Sequence, residues 1–290
     1  MIAHKKKTLG GGLGELRRLL AQEGVSDPLW YEASSSREMG PLARKAIEHG
    51  ANFLFIWGGD GSVQRCVNEI ADDDVTVALL PAGTANLLAS NLKIPRDLKG
   101  AVDIGFNGAR RRLDLGVLNG DRFSVMAGVG FDAIMMRDAD MGLKDRFGRL
   151  AYVWTASRAT RMKLRRIRIK VDGAVWFDGR ASCVLLGQMG TLAGGVVAFP
   201  TAKPDDGLLE IGVVTAETRA DWLRVFTRMV VGRADRSPLT QMTQGHNVKI
   251  KLDRPTIYEL DGGVRKKTKR LTASIQPLAI TICVPQEEPT

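Results

Sequence analysis

The sequence is poor in cysteine and in long apolar runs, and it lacks the short motifs of several common functions. Each absence excludes something. Its 290 residues hold only three cysteines, Cys66, Cys183 and Cys283, whose spacing fits neither a disulfide framework nor a zinc knuckle. Such thiols are expected to be buried and inert in a cytoplasmic protein. The longest apolar runs, such as Phe53-Leu54-Phe55-Ile56-Trp57, are far too short to cross a bilayer. No apolar signal segment with a cleavage site opens the chain. There is no zinc finger, RNA-recognition sheet motif or heptad-linked basic region, so nucleic acid is not an expected partner. The G-x-x-x-x-G-K-[ST] loop and the spaced G-x-G-x-x-G fingerprint are missing as well.

What is present is a globular composition with a charge excess. Hydrophobic residues make up 44% and charged residues 26%, and 42 Lys and Arg against 32 Asp and Glu give a net charge of +10. An excess of that size favours anionic partners, among them phosphorylated ligands and acidic membrane surfaces. It is concentrated in Arg110-Arg111-Arg112, in the six basic residues of Arg161 to Lys170, and in the five of Arg265 to Arg270. Each cluster reads either as such a surface or as an ordinary solvated face.

Two patterns divide the chain. Residues 1–115 alternate short buried runs (51–57, 75–80) with helical stretches (13–20, 42–49, 62–70), which predicts an α/β domain with a parallel, doubly wound sheet. Met1 to His4 resembles the end of a strand, either an unusually short one or one that starts upstream. Residues 116–276 show strand-like runs (167–171, 181–186, 208–214, 248–252, 272–275) broken by Gly and Asp-Gly turns. Helices are expected there only around 149–160 and 220–231. This predicts a mainly antiparallel, sandwich-like domain, with a final strand at 277–290 that returns to the first.

The strongest chemical signal is Gly58-Gly59-Asp60-Gly61-Ser62, placed between a buried run and a helix. Glycines allow a sharp turn and a close approach of backbone to ligand, and the helix start that follows suits phosphate oxygens. Ser62 can cap that helix or donate to a phosphate. Asp60 is an acceptor among phosphate binders, an arrangement that calls for an intervening magnesium ion. Read alone, the segment could also be a structural turn. After the next buried run comes Pro81-Ala82-Gly83-Thr84-Ala85-Asn86. Ligands of open α/β sheets bind at the carboxyl ends of the strands, so two glycine turns at neighbouring ends can grip one nucleotide. Thr84 and Asn86 add side-chain hydrogen bonds, although Thr84 alone could be a helix cap.

Together with Leu92-Lys93-Ile94-Pro95, Leu113-Asp114-Leu115-Gly116, Gly128 to Ala133, Gly148 to Tyr152 and Asp206-Gly207-Leu208-Leu209, these turns resemble the diacylglycerol kinase catalytic-domain family, which includes bacterial lipid kinases and is related to sphingosine kinases. The resemblance covers about residues 10 to 284. It implies a phosphofructokinase- and NAD-kinase-like fold and transfer of a phosphoryl group from ATP to a lipid hydroxyl, that of diacylglycerol first, in phospholipid metabolism. It implies that Gly58, Gly59, Asp60, Gly61, Ser62, Val63 and Gln64 wrap the ATP phosphates, with Gly83, Thr84 and Asn86 opposite. Ser34 falls where the family has a nucleotide-contacting threonine, or is a plain loop serine. Asp60 and Asp114 match positions that hold the catalytic Mg2+. Asp206, with the carbonyls of Lys203 and Leu208, matches a second magnesium site, or is an ordinary Asp-Gly turn. The implied partner is lipid at an anionic surface, met peripherally at the inner face of the membrane. A homodimer is compatible with the sequence, which leaves the oligomeric state open.

The chain departs from the family at two places. Leu87 stands at a usually acidic position, and Gly263 stands where the family has the glutamate regarded as general base. Glycine cannot accept a proton, so Asp261 or water is expected to do so. These departures also suit a non-catalytic ATP- or lipid-binding relative. A kinase of NAD shares only the first glycine turn.

Overall fold

A computed structural model describes residues 1–130 and 164–286. The helix expected at 149–160, the Gly148 to Tyr152 segment and the end of Gly128 to Ala133 lie outside those residues. The chain forms two compact units, Met1–Asp114 with Pro277–Thr290, and Leu115–Gln276.

In the first unit, β1 (Ile2–His4), β2 (Tyr31–Ala33), β3 (Phe53–Gly58) and β4 (Thr76–Pro81) form a parallel sheet. Its fifth strand is the end of a long C-terminal strand, where Thr281 and Ile282 pair in parallel with Thr76 and Val77. The resulting order, β2-β1-β3-β4 and then the returning strand, places a topological switch point between β1 and β3. Strands so enclosed must be apolar on both faces, and Leu54, Ile56, Trp57, Val77, Leu79 and Leu80 are all at most 2% exposed. The first strand is three residues long, and Ile2 pairs with both Tyr31 and Ile56.

Helices α1 (Gly12–Gln22), α2 (Ser36–Glu48), α3 (Asp60–Ile70), α4 (Leu87–Asn91) and α5 (Leu98–Asn107) connect the strands. The apolar spacing predicts α2 only from Leu42, but the helix begins six residues earlier. The Glu38 carboxylate folds back on the helix start, accepting from the Ser34 N–H at 2.9 Å and the Ser35 hydroxyl at 2.8 Å. That local capping sustains a first turn ahead of Pro41.

The second unit is antiparallel. Its sheet runs β14 (Thr240–Gly245), β13 (Leu209–Val214), β10 (Cys183–Gly187), β7 (Met126–Val129), β15 (Asn247–Leu260). Beyond β15, one side carries β16 (Gly263–Val284) and the other carries β8 (Arg165–Val171) and then β9 (Ala174–Ala181). A single core of Val129, Phe177, Leu186, Ile211, Ile250, Leu271 and their neighbours fills its inner face. The strand β5 (Ala109–Leu118) pairs with β6 (Asp121–Phe123), while β11 (Thr191–Leu192) and β12 (Val196–Val197) make a small separate ladder. The one other α-helix among the described residues, α6 (Arg219–Val230), starts at a reciprocal capping box between Thr218 and Asp221.

Two expected strands are much longer than read. β15 and β16 run through Arg254-Pro255 and through the basic stretch, because register shifts between Lys251 and Thr256 and between Thr256 and Tyr258 absorb the proline. The run read as one strand at 181–186 is two, divided at Ser182, whose hydroxyl donates to the Val214 carbonyl at 2.8 Å. All three cysteines are buried, and burial pushes the Cys183 thiol up to about 12 and the Cys283 thiol up to about 11. Among the described residues no helix is long and apolar enough to cross a membrane.

Candidate active site

The two glycine turns are in backbone contact. Gly58 ends β3 directly opposite Pro81 at the end of β4, and the Ala82 N–H donates to the Gly58 carbonyl at 3.0 Å. A Cβ on Gly83 would lie 2.4 Å from the Gly59 Cα, and one on Gly59 would lie 3.0 Å from the Gly83 Cα. No side chain fits between them, so the chain itself requires both glycines. A second tie is electrostatic: the Asp60 carboxylate accepts the N–H of Leu87 at the start of α4.

Gly61 differs from these. It is exposed, its φ lies outside the left-handed region, and a Cβ there would meet nothing within 4 Å. Nothing among the described residues asks for glycine at this position. An open, side-chain-free surface beside the N-terminus of α3 is what an approaching anion needs.

The sequence-predicted nucleotide residues separate by exposure. Gly61 and Thr84 are exposed at the mouth, and Gly59, Asp60 and Gly83 are half-buried beside them. The side chains of Ser62, Val63 and Gln64 are only 2%, 8% and 5% exposed, and the N–H groups of Ser62 and Val63 already donate to the Gly59 carbonyl at 2.9 and 3.0 Å. Asn86 is also buried and has left-handed backbone, φ 49°. Its amide accepts from the Gly83 N–H at 2.9 Å and donates to the carbonyls of Pro81 at 3.0 Å and Gly83 at 2.7 Å. Asn86 therefore shapes the turn rather than reaching outward. Leu87, at the family's acidic position, buries its side chain in the core.

Neighbouring elements bring residues that the sequence reading missed. The Ser36 hydroxyl lies 3.3 Å from that of Ser62, so the α2 start borders the first turn. Ser34 itself is exposed two residues earlier and holds Glu38 through its backbone. The Arg96 guanidinium donates to the Thr84 carbonyl and, at 2.9 Å, to that of Ala85, clamping the second turn. At the switch point the loop after β1 is Lys5-Lys6-Lys7, anchored by a 3.0 Å bond from the Trp57 indole to the Lys7 carbonyl. His4 is held below its ordinary pKa by burial first and by Lys7 and Lys6 as well, so its ring is neutral at pH 7. Three lysines immediately after a short strand were the available signal. What hid them was the strand order, which the sequence does not give.

The expected metal and proton-transfer residues fare differently. Asp114 is 1% exposed, and its carboxylate accepts the Leu278 N–H at 2.7 Å, where φ is 48°. No group of three or more His, Cys, Asp or Glu side chains able to hold a metal occurs among the described residues. One half-buried carboxylate beside the glycine turns, Asp60, nevertheless fits a magnesium ion that shares its shell with phosphates and water. In the second unit the Leu208 N–H donates to Asp206 Oδ1 at 3.0 Å in an exposed turn. Beside it, Gln188 is 1% exposed, reaches the Leu208 carbonyl at 3.5 Å, and keeps a buried Oε1 without a hydrogen-bond partner. Those oxygens fit a hard cation, with Lys203 in the same loop.

Asp261 does not stand where a general base could work. It is 5% exposed, and its carboxylate accepts from the N–H groups of Ser124, Val125 and Met126 and from the Ser124 hydroxyl, at 2.8 to 3.0 Å. Burial raises its pKa despite those four bonds. Both oxygens are engaged inside the unit, which makes Asp261 the anchor of the 124–126 segment and corrects its expected role as proton acceptor.

A five-stranded parallel unit with touching glycine turns at the carboxyl ends of β3 and β4, followed by an antiparallel β unit, defines the class: a two-unit protein with an α/β unit ahead of a β-rich one. Residues 6–118 match the diacylglycerol kinase catalytic domain, and residues 124–284 match the YegS C-terminal NAD kinase beta sandwich-like domain. The chain belongs to the diacylglycerol kinase catalytic-domain family, a family of lipid kinases. It is 28% identical over 224 residues to a diacylglycerol kinase of Bacillus subtilis (strain 168), covering 76% of this chain and 74% of that one. With a diacylglycerol kinase of Mycobacterium tuberculosis it shares 27% over 198 residues, 66% of this chain and 64% of the relative, so the match spans less than two thirds of that protein. A crystal structure from Bacillus anthracis str. Sterne, provisionally named a diacylglycerol kinase, superposes with a TM-score of 0.80 at 20% identity, covering 98% of this chain and 93% of that one. That last likeness concerns the fold.

Proposed function

We propose that the protein transfers the γ-phosphoryl group of ATP to a lipid hydroxyl, that of diacylglycerol in the first instance, as the names of its relatives indicate for those proteins. The observation that carries the reading is the contact between the turns at Gly59 and Gly83, with open space at Gly61. Backbone N–H groups at the start of α3 meet phosphate oxygens, while the exposed Thr84 hydroxyl supplies a side-chain donor. Lys6 and Lys7 bring positive charge to the same sheet edge, a task that falls to a lysine of the loop itself in P-loop enzymes.

Asp60 would hold a magnesium ion that arrives with the nucleotide and neutralises charge on the transferring phosphoryl group. Asp60 also keeps α4 against the first turn, so it positions the cradle as well as the charge. Asp114, being buried, acts at a distance by fixing the backbone at Leu278. With Gly263 at the family's glutamate position and Asp261 engaged, the hydroxyl proton leaves to water. Phosphoryl transfer tolerates this because its transition state is loose and depends mainly on positioning and charge.

Gly263 and Leu87 favour a second reading, a relative that binds ATP or lipid without transfer. Radiolabelled ATP incubated with the protein and a panel of diacylglycerol, monoacylglycerol, ceramide and sphingoid base separates the two. Label in an organic-soluble product, lost in Asp60→Ala, supports the kinase. ATP binding with no labelled lipid in the panel contradicts it.

A further inference from the structure

The second unit gathers, on one flat face, basic residues that lie far apart in the sequence. In β8 the side chains alternate, with Ile167 and Ile169 in the core and Arg166, Arg168 and Lys170 exposed. In β15 Val248, Ile250 and Leu252 are buried, and Lys249 and Lys251 are exposed. The register places like charges directly opposite each other. Lys170 faces Lys249, Arg168 faces Lys251, and Lys251 faces Arg270 on β16. On the far side Arg166 faces Arg180 of β9. Residues directly opposite in a ladder project on the same side, so these seven cations share one surface, with strands about 4.8 Å apart.

Two acidic groups join them. Asp178 lies 3.5 Å from Arg166 and 3.7 Å from Arg168, and Asp253 accepts the Arg166 N–H at 3.4 Å. No ion pair among the described residues reaches Lys170, Lys249, Lys251 or Arg270. Like charges directly opposite in a sheet oppose folding, so a face that keeps them unneutralised is arranged for an outside anion. It is flat and broad where a small ligand needs a concave site. The exposed apolar residues of these strands are aliphatic: Val175, which faces Lys170, and Ile257 and Val264 farther along β15 and β16. Trp176 next to it turns to the core, so the face offers no aromatic platform for stacking bases.

We propose that this β9-β8-β15-β16 face docks on an anionic lipid bilayer. The inference rests on the lipid-kinase reading for its purpose, since a soluble enzyme must meet its acceptor at an interface, but its geometry stands apart from that reading. Lys170, Lys249 and Lys251 are the centre of the contact, and Arg168 and Arg270 flank them. Binding is electrostatic and is screened by salt.

The test is co-sedimentation of the full chain with vesicles of neutral phosphatidylcholine, alone or with about one third phosphatidylglycerol, at low and at high salt. The variants are K170Q/K249Q/K251Q and a control with the same charge change on other exposed cations, R18Q/K99Q/R219Q. The wild type is expected to bind only the acidic vesicles, and binding should fall at high salt. The first triple variant should lose on the order of 100-fold in affinity, at about tenfold or less per charge. Its thermal stability should hold or rise, and the control triple should bind nearly as the wild type does. Equal binding by wild type and K170Q/K249Q/K251Q overturns the proposal, as does an equal loss in both triples, which would mean net charge alone. Tighter binding to a single-stranded RNA or duplex DNA oligonucleotide than to vesicles, lost in the same triple, overturns it in favour of nucleic acid. Phosphoryl transfer to diacylglycerol in neutral detergent micelles, measured on the same samples, reports on the kinase reading separately and should be equal in wild type and both variants.

Discussion

Two of the chain's five Asp-Gly pairs look alike on paper, Asp60-Gly61 and Asp261-Gly262, and the fold uses them in opposite ways. Asp60 stands at an open mouth, ties two glycine turns together through the Leu87 N–H, and has a glycine beside it that nothing among the described residues requires. Asp261 is buried, has left-handed backbone with φ 44°, and accepts four hydrogen bonds from residues 124–126. Its following glycine, φ 78°, serves the hairpin between β15 and β16. The difference teaches that an acid next to glycine becomes chemical or architectural according to what its carboxylate oxygens already hold. One turn ends at solvent and the other ends in a closed network.

The sharpest way to break this contrast is to remove each carboxylate in turn. Asp60→Ala should lower phosphoryl transfer by on the order of 100- to 1,000-fold, as expected when a positioned charge is lost from a transferring group. Its stability should drop by only about 1 kcal/mol, for the Leu87 cap. Asp261→Ala should do the reverse: three buried N–H groups lose their acceptor, which costs about 3 kcal/mol or more. That corresponds to roughly 6–12 °C in the melting temperature followed by circular dichroism. Turnover per folded molecule should stay within a few-fold of wild type. Equal loss of turnover in both variants would erase the distinction.

A smaller effect tests the empty base position. A Cβ at Gly263 would come within 2.8 Å of Arg265 Nη1 and 3.2 Å of the Leu260 carbonyl. The Arg265 guanidinium, held 2.8 Å from Asp121, must therefore yield slightly to admit a side chain. Gly263→Glu is expected to raise turnover by about tenfold to 100-fold, at or below the low end of the roughly 100- to 10,000-fold typical of a positioned base. A slower enzyme with unchanged nucleotide affinity would show that water is the better acceptor here.

The smallest effect concerns a third carboxylate, Glu210 on β13. Burial raises its pKa, and hydrogen bonds from the Gln244 amide at 2.8 Å and the Thr201 hydroxyl at 3.3 Å only partly offset this. An acid with a raised folded-state pKa contributes its full stability below the ordinary carboxylate range of about 4.3 and loses it as pH rises through the folded value. Glu210→Gln should therefore gain about 2 °C on wild type at pH 8 and nothing at pH 4. A gain at pH 4 instead would reverse the sign of the argument.

Much of this was legible in the residues. Runs such as 53–57 and 75–80 could only be buried parallel strands, and the glycines after them marked turns at strand ends. That the two turns touch depended on β3 and β4 being neighbours in register, which apolar periodicity suggests but does not fix. The roles of Asn86 and Asp261 were not legible, because a side chain's commitment to buried backbone depends on partners that tertiary structure supplies. Asp261 receives its partners from more than 130 positions away. The long strands β15 and β16 were hidden by Pro255 and by a basic stretch without apolar alternation, though bulges and a solvated face accommodate both. The lysines after β1 were plain in the sequence, yet only the strand order sets them beside the glycine turns.

Calorimetric titration of ATP into Gly61→Ala tests the account most directly. The added methyl meets nothing within 4 Å among the described residues, and at an exposed helix position alanine is favourable by up to about 1 kcal/mol. The protein should fold at least as stably as wild type while ATP affinity falls by at least about tenfold, since the methyl occupies the surface that the phosphates approach. Unchanged ATP affinity in this variant would contradict the cradle and the function built on it.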